Sequence, residues 1–283
     1  MKVLPFIIPK PEQTALIYQE DYEFVFYDKF HQHEEIQISL IVEGEGTLIV
    51  GDTINYYKSG DILVIGSNLP HVFKSDIKTN KKSHMLSLFF TEDAFGSDFF
   101  SLEELKTLRP FFKRASHGFK VNTSKKKLRN LFLKLQKASR LSQFISLLNI
   151  LQIVSKASYQ NLSSFIYNKK YSDTEGKRMR AIMEYTMNNF NENITLDNVA
   201  TIASMTKNAF CKYFKKRTNK TYFQFLNELK IENACKLLLT NQDYTISEIA
   251  EQSGFNNISN FNRQFKSLKQ MSPNAFKKRT LSN

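Results

Sequence analysis

No stretch of this 283-residue chain approaches the roughly 20 consecutive apolar residues that a membrane-spanning helix needs. The opening segment, MKVLPFIIPKPEQ, has only a short apolar run broken by prolines and no small-residue cleavage site, so it reads poorly as a signal peptide. Cysteine occurs only at Cys211 and Cys235, too sparsely for a disulfide framework, which points to a reducing compartment and an expected cytoplasmic location. What is present, 41% apolar and 13% aromatic residues, describes a folded chain rather than a disordered one, long enough for two domains with separate cores.

Charge is as unevenly distributed as it is unbalanced. Arginine is missing from residues 1–105, which carry a net −9; acids all but vanish from 106–173, at +14; residues 174–283 carry +8, for a total of +13. An acidic front avoids polyanions and a basic rear attracts them. Within the middle segment, Lys125-Lys126-Lys127 reads more simply as a solvated helix face.

The first 105 residues read as short strands. Phe24–Tyr27, Ile36–Val42, Thr47–Val50, Ile62–Ile65 and Met85–Phe90 are β-branched or aromatic runs. They are separated by turn-forming groups such as Gly44-Glu45-Gly46, Ser59-Gly60-Asp61 and Asn68-Leu69-Pro70. This pattern predicts a small sandwich or barrel. Beyond Leu102 the period changes: Leu128, Leu131, Phe132 and Leu135 recur at helical spacing behind a candidate N-cap, Ser124, and Phe144, Leu147, Leu148 and Leu151 repeat the pattern. These two helices pack either on the barrel or on a second copy of the chain. The expected organisation is therefore α+β: a barrel over 1–105, a helical packing or dimerisation segment over 106–162, a polar linker over 163–176, and an all-helical domain over 177–283.

The last domain contains a duplication. TLDNVATIASMTKNAFCKYFKKRTN (195–219) and TISEIAEQSGFNNISNFNRQFKSLKQ (245–270) align Val199-Ala200 with Ile249-Ala250, and Phe210 and Phe214 with Phe261 and Phe265. Each copy predicts a short helix with a small inner residue, a tight turn at Ser204 or Gly254, and a second helix anchored by two phenylalanines. That is the layout of a helix-turn-helix, whose second helix enters the DNA major groove. The face left free presents Lys207, Asn208, Cys211, Lys212 and Lys215 in copy one. In copy two it presents Asn257, Ser259, Asn260, Asn262, Arg263 and Lys266. Arg and Lys pair with guanine edges and phosphates, Asn with adenine, and neither face carries an acid. Between the copies, Tyr222–Leu239 predicts a helix of about 27 Å, able to hold the two readers roughly one DNA turn apart.

These hundred residues, and above all IAEQSGFNNISNFNRQFK followed by MSP at 271–273, resemble the DNA-binding domain of AraC/XylS-type transcription regulators. The resemblance implies base reading by Asn208, Cys211 and Lys212 in the first copy and by Ser259, Asn262 and Arg263 in the second. Asn219 and Gln270 stand where that family usually ends the helix with glycine, and Lys230 and Lys277 where arginine is common.

The front half resembles the cupin-like sensor domain of many such regulators, through HQHEEIQISLIVEGEGTLIVGD and SGDILVIGSNLPHVF. In metal-binding cupins the matching positions supply ligands, which implicates His31, His33 and His71; Gln37 replaces the usual carboxylate. If residues 31–37 form a strand, the histidines and Gln37 share one face. That face is a divalent-metal site, the wall of an organic-ligand pocket, or simply the wet side of the strand. A neutral amide is a weak metal ligand and an odd general base, so catalysis needs groups that the sequence does not clearly supply. The expectation is a non-enzymatic, cofactor-free DNA-binding regulator, homodimeric and controlled by a small-molecule effector. The rival is a metal-dependent cupin dioxygenase or isomerase tethered to a nucleic-acid module.

Overall fold

The computed structural model describes residues 14–76, 81–166, 172–240 and 243–281. Residues 1–13 of the expected barrel and 167–171 of the expected linker lie outside them. The chain forms two compact units, Met1–Gly176 and Lys177–Asn283. No described helix is long and apolar enough to cross a membrane.

The first unit contains strands β1 (Ile17–Glu23), β2 (Ile36–Glu43), β3 (Glu45–Val50), β4 (Thr53–Lys58), β5 (Ile62–Ile65), β6 (His71–Ser75) and β7 (Ser83–Phe90). They are followed by α1 (Arg109–Ala115), β8 (Phe119–Val121), α2 (Lys125–Leu135), α3 (Arg140–Lys156) and β9 (Tyr159–Asn161). A six-stranded sheet, in the order β1-β7-β2-β5-β8-β9, packs on a three-stranded sheet, β4-β3-β6. Strand alternation explains how one sheet serves two cores. From the large sheet, Ile41, Leu63, Ile65 and Met85 meet Leu48, Val50, Tyr57 and Phe73 of the small one. On its other face, Ile36, Ile38, Leu40 and Leu88 meet Phe111, Leu128, Phe132, Leu147, Leu151 and Val154 of α1–α3. The helices of 106–162 thus pack on the sheet, leaving Leu133, Leu141 and Ile145 exposed.

Several local expectations are corrected. Phe24–Tyr27 is not a strand: the preceding Ile17–Glu23 pairs with β7, while Phe26 turns inward and donates its N–H to Ser75 Oγ (3.1 Å). Ser124 makes no side-chain cap to α2, because its backbone is left-handed (φ 60°) rather than in the extended form that a capping side chain requires. The expected linker is tied down at its start. Buried Asp52 accepts hydrogen bonds from Ser163 Oγ (3.0 Å), Ser164 N (2.9 Å) and Ser164 Oγ.

The second unit comprises the greater part of α4 (Asp173–Asn189), then α5 (Leu196–Ile202), α6 (Lys207–Thr218), α7 (Tyr222–Thr240), α8 (Ile246–Gln252), α9 (Ile258–Lys269) and α10 (Pro273–Leu281); α4 starts inside the expected linker, ahead of the unit boundary at Lys177. The duplication is reproduced in detail. Thr195 and Thr245 form capping boxes at the starts of α5 and α8. Ser204 (φ 52°) and Gly254 (φ 80°) turn each chain into the second helix. A Cβ at Gly254 would lie 2.7 Å from the Asn191 backbone, so this turn accepts only glycine. Buried Lys230 reaches the same turn and donates to Gly254 O (2.6 Å).

Asn219 and Gln270, standing in place of the family's glycines, both take the left-handed C-cap conformation (φ 55° and 56°). Gln270 Nε2 donates to Ser267 O (2.7 Å), yet glutamine still adopts φ > 0 less readily than asparagine, so the conformation costs more there. Gln270→Gly is therefore expected to raise stability by about 0.5–1 kcal/mol, the relief of strain exceeding glycine's entropy cost. An unchanged or lower midpoint in urea unfolding of the second unit's transition would show that the strain is absent.

Candidate functional site: recognition helices and a histidine cluster

Each second helix of the duplication is fixed by its buried side. Phe210 and Phe214 pack on Tyr222 at 5.4 and 5.3 Å between ring centroids, and Phe261 and Phe265 pack among Phe255 and Phe276 at 5.3 and 5.6 Å. Both pairs are fully buried. The long helix α7 serves both copies: Tyr222, Phe225 and Leu229 are buried toward its start, and Ile231, Ala234, Cys235 and Leu238 form one core with α8 and α9. With its first-half aromatics facing α6 and its second half facing α9, this rod of roughly 28 Å separates the two readers.

The opposite faces are open to solvent. Lys207, Asn208, Cys211, Lys212 and Lys215 are exposed on α6, as are Asn257, Ser259, Asn262, Arg263 and Lys266 at α9; Asn260 is half-buried. Three of these have local duties as well. Asn257 is the N-cap of α9, its side chain accepting from Ser259 N (2.8 Å) and Asn260 N (3.1 Å). Asn260 Oδ1 accepts from Arg263 Nη2 (2.9 Å), which holds the guanidinium along the helix. Lys207 is paired with Asp197 at 2.9 Å, both exposed, a contact of small worth in water. At the end of α9, Ser272 caps α10 through Ala275 N (3.2 Å), so the MSP sequence is a helix start with proline at its first position.

The second cluster lies in the first unit. Residues 31–35 are not strand, because β2 starts only at Ile36; His31 instead forms an isolated bridge with His71, His31 N to His71 O at 3.0 Å and the reverse at 2.8 Å. The bridge brings His31, His33 and His71 together, with ligand-capable nitrogens within 4.8 Å of one another. His33 and His71 are buried and His31 half-buried, facing inward between the sheets rather than to solvent. Gln37, Ser39 and Ser87 continue the polar row: Gln37 Nε2 donates to Ser39 Oγ (2.8 Å), which bonds Ser87 Oγ (2.7 Å).

Each imidazole has the same second partner. Nδ1 of His31 lies 2.7 Å from Lys29 O, Nδ1 of His33 lies 2.9 Å from Glu35 O, and Nδ1 of His71 lies 2.9 Å from Leu69 O. A carbonyl oxygen only accepts, so each neutral ring carries its proton on Nδ1 and has Nε2 as its acceptor nitrogen. His71 Nε2 is buried with no hydrogen-bond partner. His33 Nε2 faces Gln37 Oε1 at 3.3 Å, two acceptors in contact unless the amide turns over or a positive charge lies between them. Burial, reinforced by neighbouring His31 and His33, holds the His71 pKa well below its ordinary value; burial also lowers that of His33, against Glu35 and Gln37. The buried rings of His33 and His71 are kept neutral and electron-donating. The cavity they line, with Asp21, Tyr27 and Phe89, has a volume of about 40 Å³.

A ligand-responsive sheet domain followed by a paired helix-turn-helix is the construction of a one-component transcription regulator. The sequence family described as AraC-like ligand binding domain matches residues 13–146, and the helix-turn-helix domain family matches residues 199–279. The chain belongs to the AraC-type transcription regulators: its N-terminal domain binds a ligand and its C-terminal domain binds DNA. It is 24% identical over 260 residues to the HTH-type transcriptional regulator YdeC of Bacillus subtilis, spanning 89% of this chain and 87% of that one. It is 37% identical over 101 residues to an HTH-type transcriptional regulator in the cgkA 5' region of Pseudoalteromonas carrageenovora, covering 36% of this chain and 58% of the relative. Among solved structures it is similar to ToxT of Vibrio cholerae O395, with 15% identity, 93% of this chain and 97% of that chain covered, and a TM-score of 0.37.

The tautomer assignment is directly measurable. Nitrogen-15 spectra of the metal-free protein at neutral pH are expected to place the ring proton of all three histidines on Nδ1. A protonated Nε2 on His71 would contradict the geometry.

Proposed function

We propose that α6 and α9 read two successive major grooves through the exposed residues named above, and that the first unit sets this reading by sensing a small molecule. Asn208, Cys211 and Lys212 on α6, and Ser259, Asn262 and Arg263 on α9, are the base readers. Lys207, Lys215 and Lys266 contact phosphates, while Asn257 and Asn260 fix the start of α9 and the Arg263 fork. The observation that carries this reading is the pair of acid-free, solvent-facing helices anchored on one rod of about one DNA turn's length. DNA as partner puts the site of action in the cytoplasm. Exposed Leu141 and Ile145, one turn apart on α3, support pairing with a second copy of the chain.

Selection of bound DNA from a random pool is the deciding experiment. It is expected to return two half-sites about one helical turn apart; a featureless pool would sink the double-reader reading. On the recovered site, Arg263→Ala should relax preference at one position at a cost of about 1–3 kcal/mol. Lys215→Ala should weaken all sequences alike and lower the salt slope by about 1. Equal loss on every sequence with Arg263→Ala would demote that residue to a phosphate contact.

A second reading concerns the histidines. The buried, unpartnered Nε2 of His71, and the three histidines with ligand-capable nitrogens within 4.8 Å of one another, fit a divalent first-row transition ion better than the wall of an organic pocket. His31, His33 and His71 would hold it, with the Gln37 amide beside them; bound there, the ion would supply a positive charge and tie the 31–33 segment to β6. Elemental analysis is expected to find one equivalent of metal, lost in the His31→Ala, His33→Ala double variant. A metal-free protein after growth and dialysis against Zn²⁺, Fe²⁺ and Co²⁺ would refute it, and turnover by the loaded protein would favour a cupin enzyme instead.

A further inference from the structure

The sensor reading raises a question of size. A cavity of about 40 Å³ beside the histidines admits an ion and a little water, while sites for organic molecules run to about 300–1,000 Å³. On the helix-covered side of the large sheet, a second cavity of about 380 Å³ opens between the start of β1 and the first turns of α3.

Its chemistry is of two kinds. Leu16, Phe95 and Phe144 form apolar walls, the two rings 4.8 Å apart and continuous with the core between sheet and helices. Arg140, Gln143 and Thr14 contribute the polar side, and no acid is among the described residues that line the cavity. Arg140 is the first residue of the 17-residue α3, where the helix dipole already favours negative charge. Among the described residues its guanidinium makes no hydrogen bond or ion pair. The Thr14 hydroxyl is buried without a partner. Gln143, which lines the cavity, is held in place by donating Nε2 to Leu135 O (3.1 Å). An unpaired fork, an idle hydroxyl and a positive helix end beside aromatic walls are complementary to one class of molecule. That molecule has a planar anionic head and a compact apolar body.

We propose that this cavity is the effector site and that it takes a small carboxylate with an aryl or short alkyl body, its head on Arg140 and its body against Phe95 and Phe144. The inference rests on the sensor reading above but relocates the effector from the interior of the two sheets to the sheet–helix side. The exposed Leu141 and Ile145 follow Arg140 on the same helix, so a bound ligand lies next to the face assigned to pairing, where it can favour one arrangement of two copies over another.

Titration calorimetry and thermal shift on the full chain, with 3-phenylpropanoate and octanoate set against 3-phenylpropanol and octanol, test it. Saturable binding of at least one acid is expected, with the matching alcohol at least tenfold weaker. Arg140→Gln, a substitution at an exposed position, should weaken the acid about 10–100-fold, Phe144→Leu should weaken it less, and His33→Gln should leave it unchanged. Binding that ignores Arg140→Gln, or that is lost with His33→Gln alone, would overturn this site and return the effector to the histidine side with the sensor reading intact. No saturable binding of either acid would also overturn it. The sensor reading itself fails on a different result, namely that no member of a chemically broad effector library changes affinity for the selected DNA.

Discussion

The exposed faces of α6 and α9 depend on a buried contact: two phenylalanines, four residues apart, pressed against the long helix. Phe210 and Phe214 in one copy and Phe261 and Phe265 in the other are fully buried. Each burial is worth about 1.5–3 kcal/mol. At 3.6 residues per turn, a helix that commits positions i and i+4 to the core has its opposite face decided. The exposed set Asn208, Cys211, Lys212 and Lys215, and its counterpart Ser259, Asn262, Arg263 and Lys266, follow from that rotation. The turn residues make it unambiguous: a left-handed Ser204 or Gly254 sets the angle between the paired helices, and Lys230 donates to the Gly254 carbonyl to hold the second turn in place.

The sensor unit solves the analogous problem with a period of two. Along β2, Ile36, Ile38 and Leu40 serve the helix-covered core, while Gln37, Ser39 and Ile41 look inward between the sheets. A one-residue slip would exchange the polar row with the aliphatic one, so the two cores jointly enforce the register. Backbone carbonyls then finish what alternation starts. By engaging Nδ1 of all three histidines they choose the tautomer of otherwise ambiguous rings.

This division also explains what was legible in the sequence. The duplication was readable because its signals are local and repeated: phenylalanine spacing, small inner residues and a tight turn at Ser204 or Gly254 each occur within a few positions. Strands β2, β3, β5 and β7 were readable as apolar runs. Strand β1, IYQEDYE, was not, because an edge strand with mostly exposed side chains carries no hydrophobic pattern, and the aromatic FVFY beside it offered a stronger but false one. The left-handed Ser124 and the Asp52 clamp on Ser163 and Ser164 escaped for the same physical reason. Both are decided by partners distant in the chain, or by a backbone conformation that serine does not advertise.

The candidate sites divide likewise. His31, His33, Gln37 and His71 were identifiable by motif, but the assumed strand through residues 31–37 is replaced by a single bridge between His31 and His71. That replacement matters chemically. A regular strand would space His31 and His33 along one face without bringing His71 between them, whereas the bridge folds the segment back so that the His31 and His71 rings lie 4.3 Å apart. Arg140 had no motif at all: it is one basic residue among many in a segment nearly free of acids. Only its place at the head of α3, unpaired and beside two aromatic rings, separates it from a solvated surface charge. A regulator built this way keeps its specificity for DNA in a repeated, locally encoded unit. Its specificity for the signal sits in long-range contacts, where single substitutions can change the ligand without disturbing the reader.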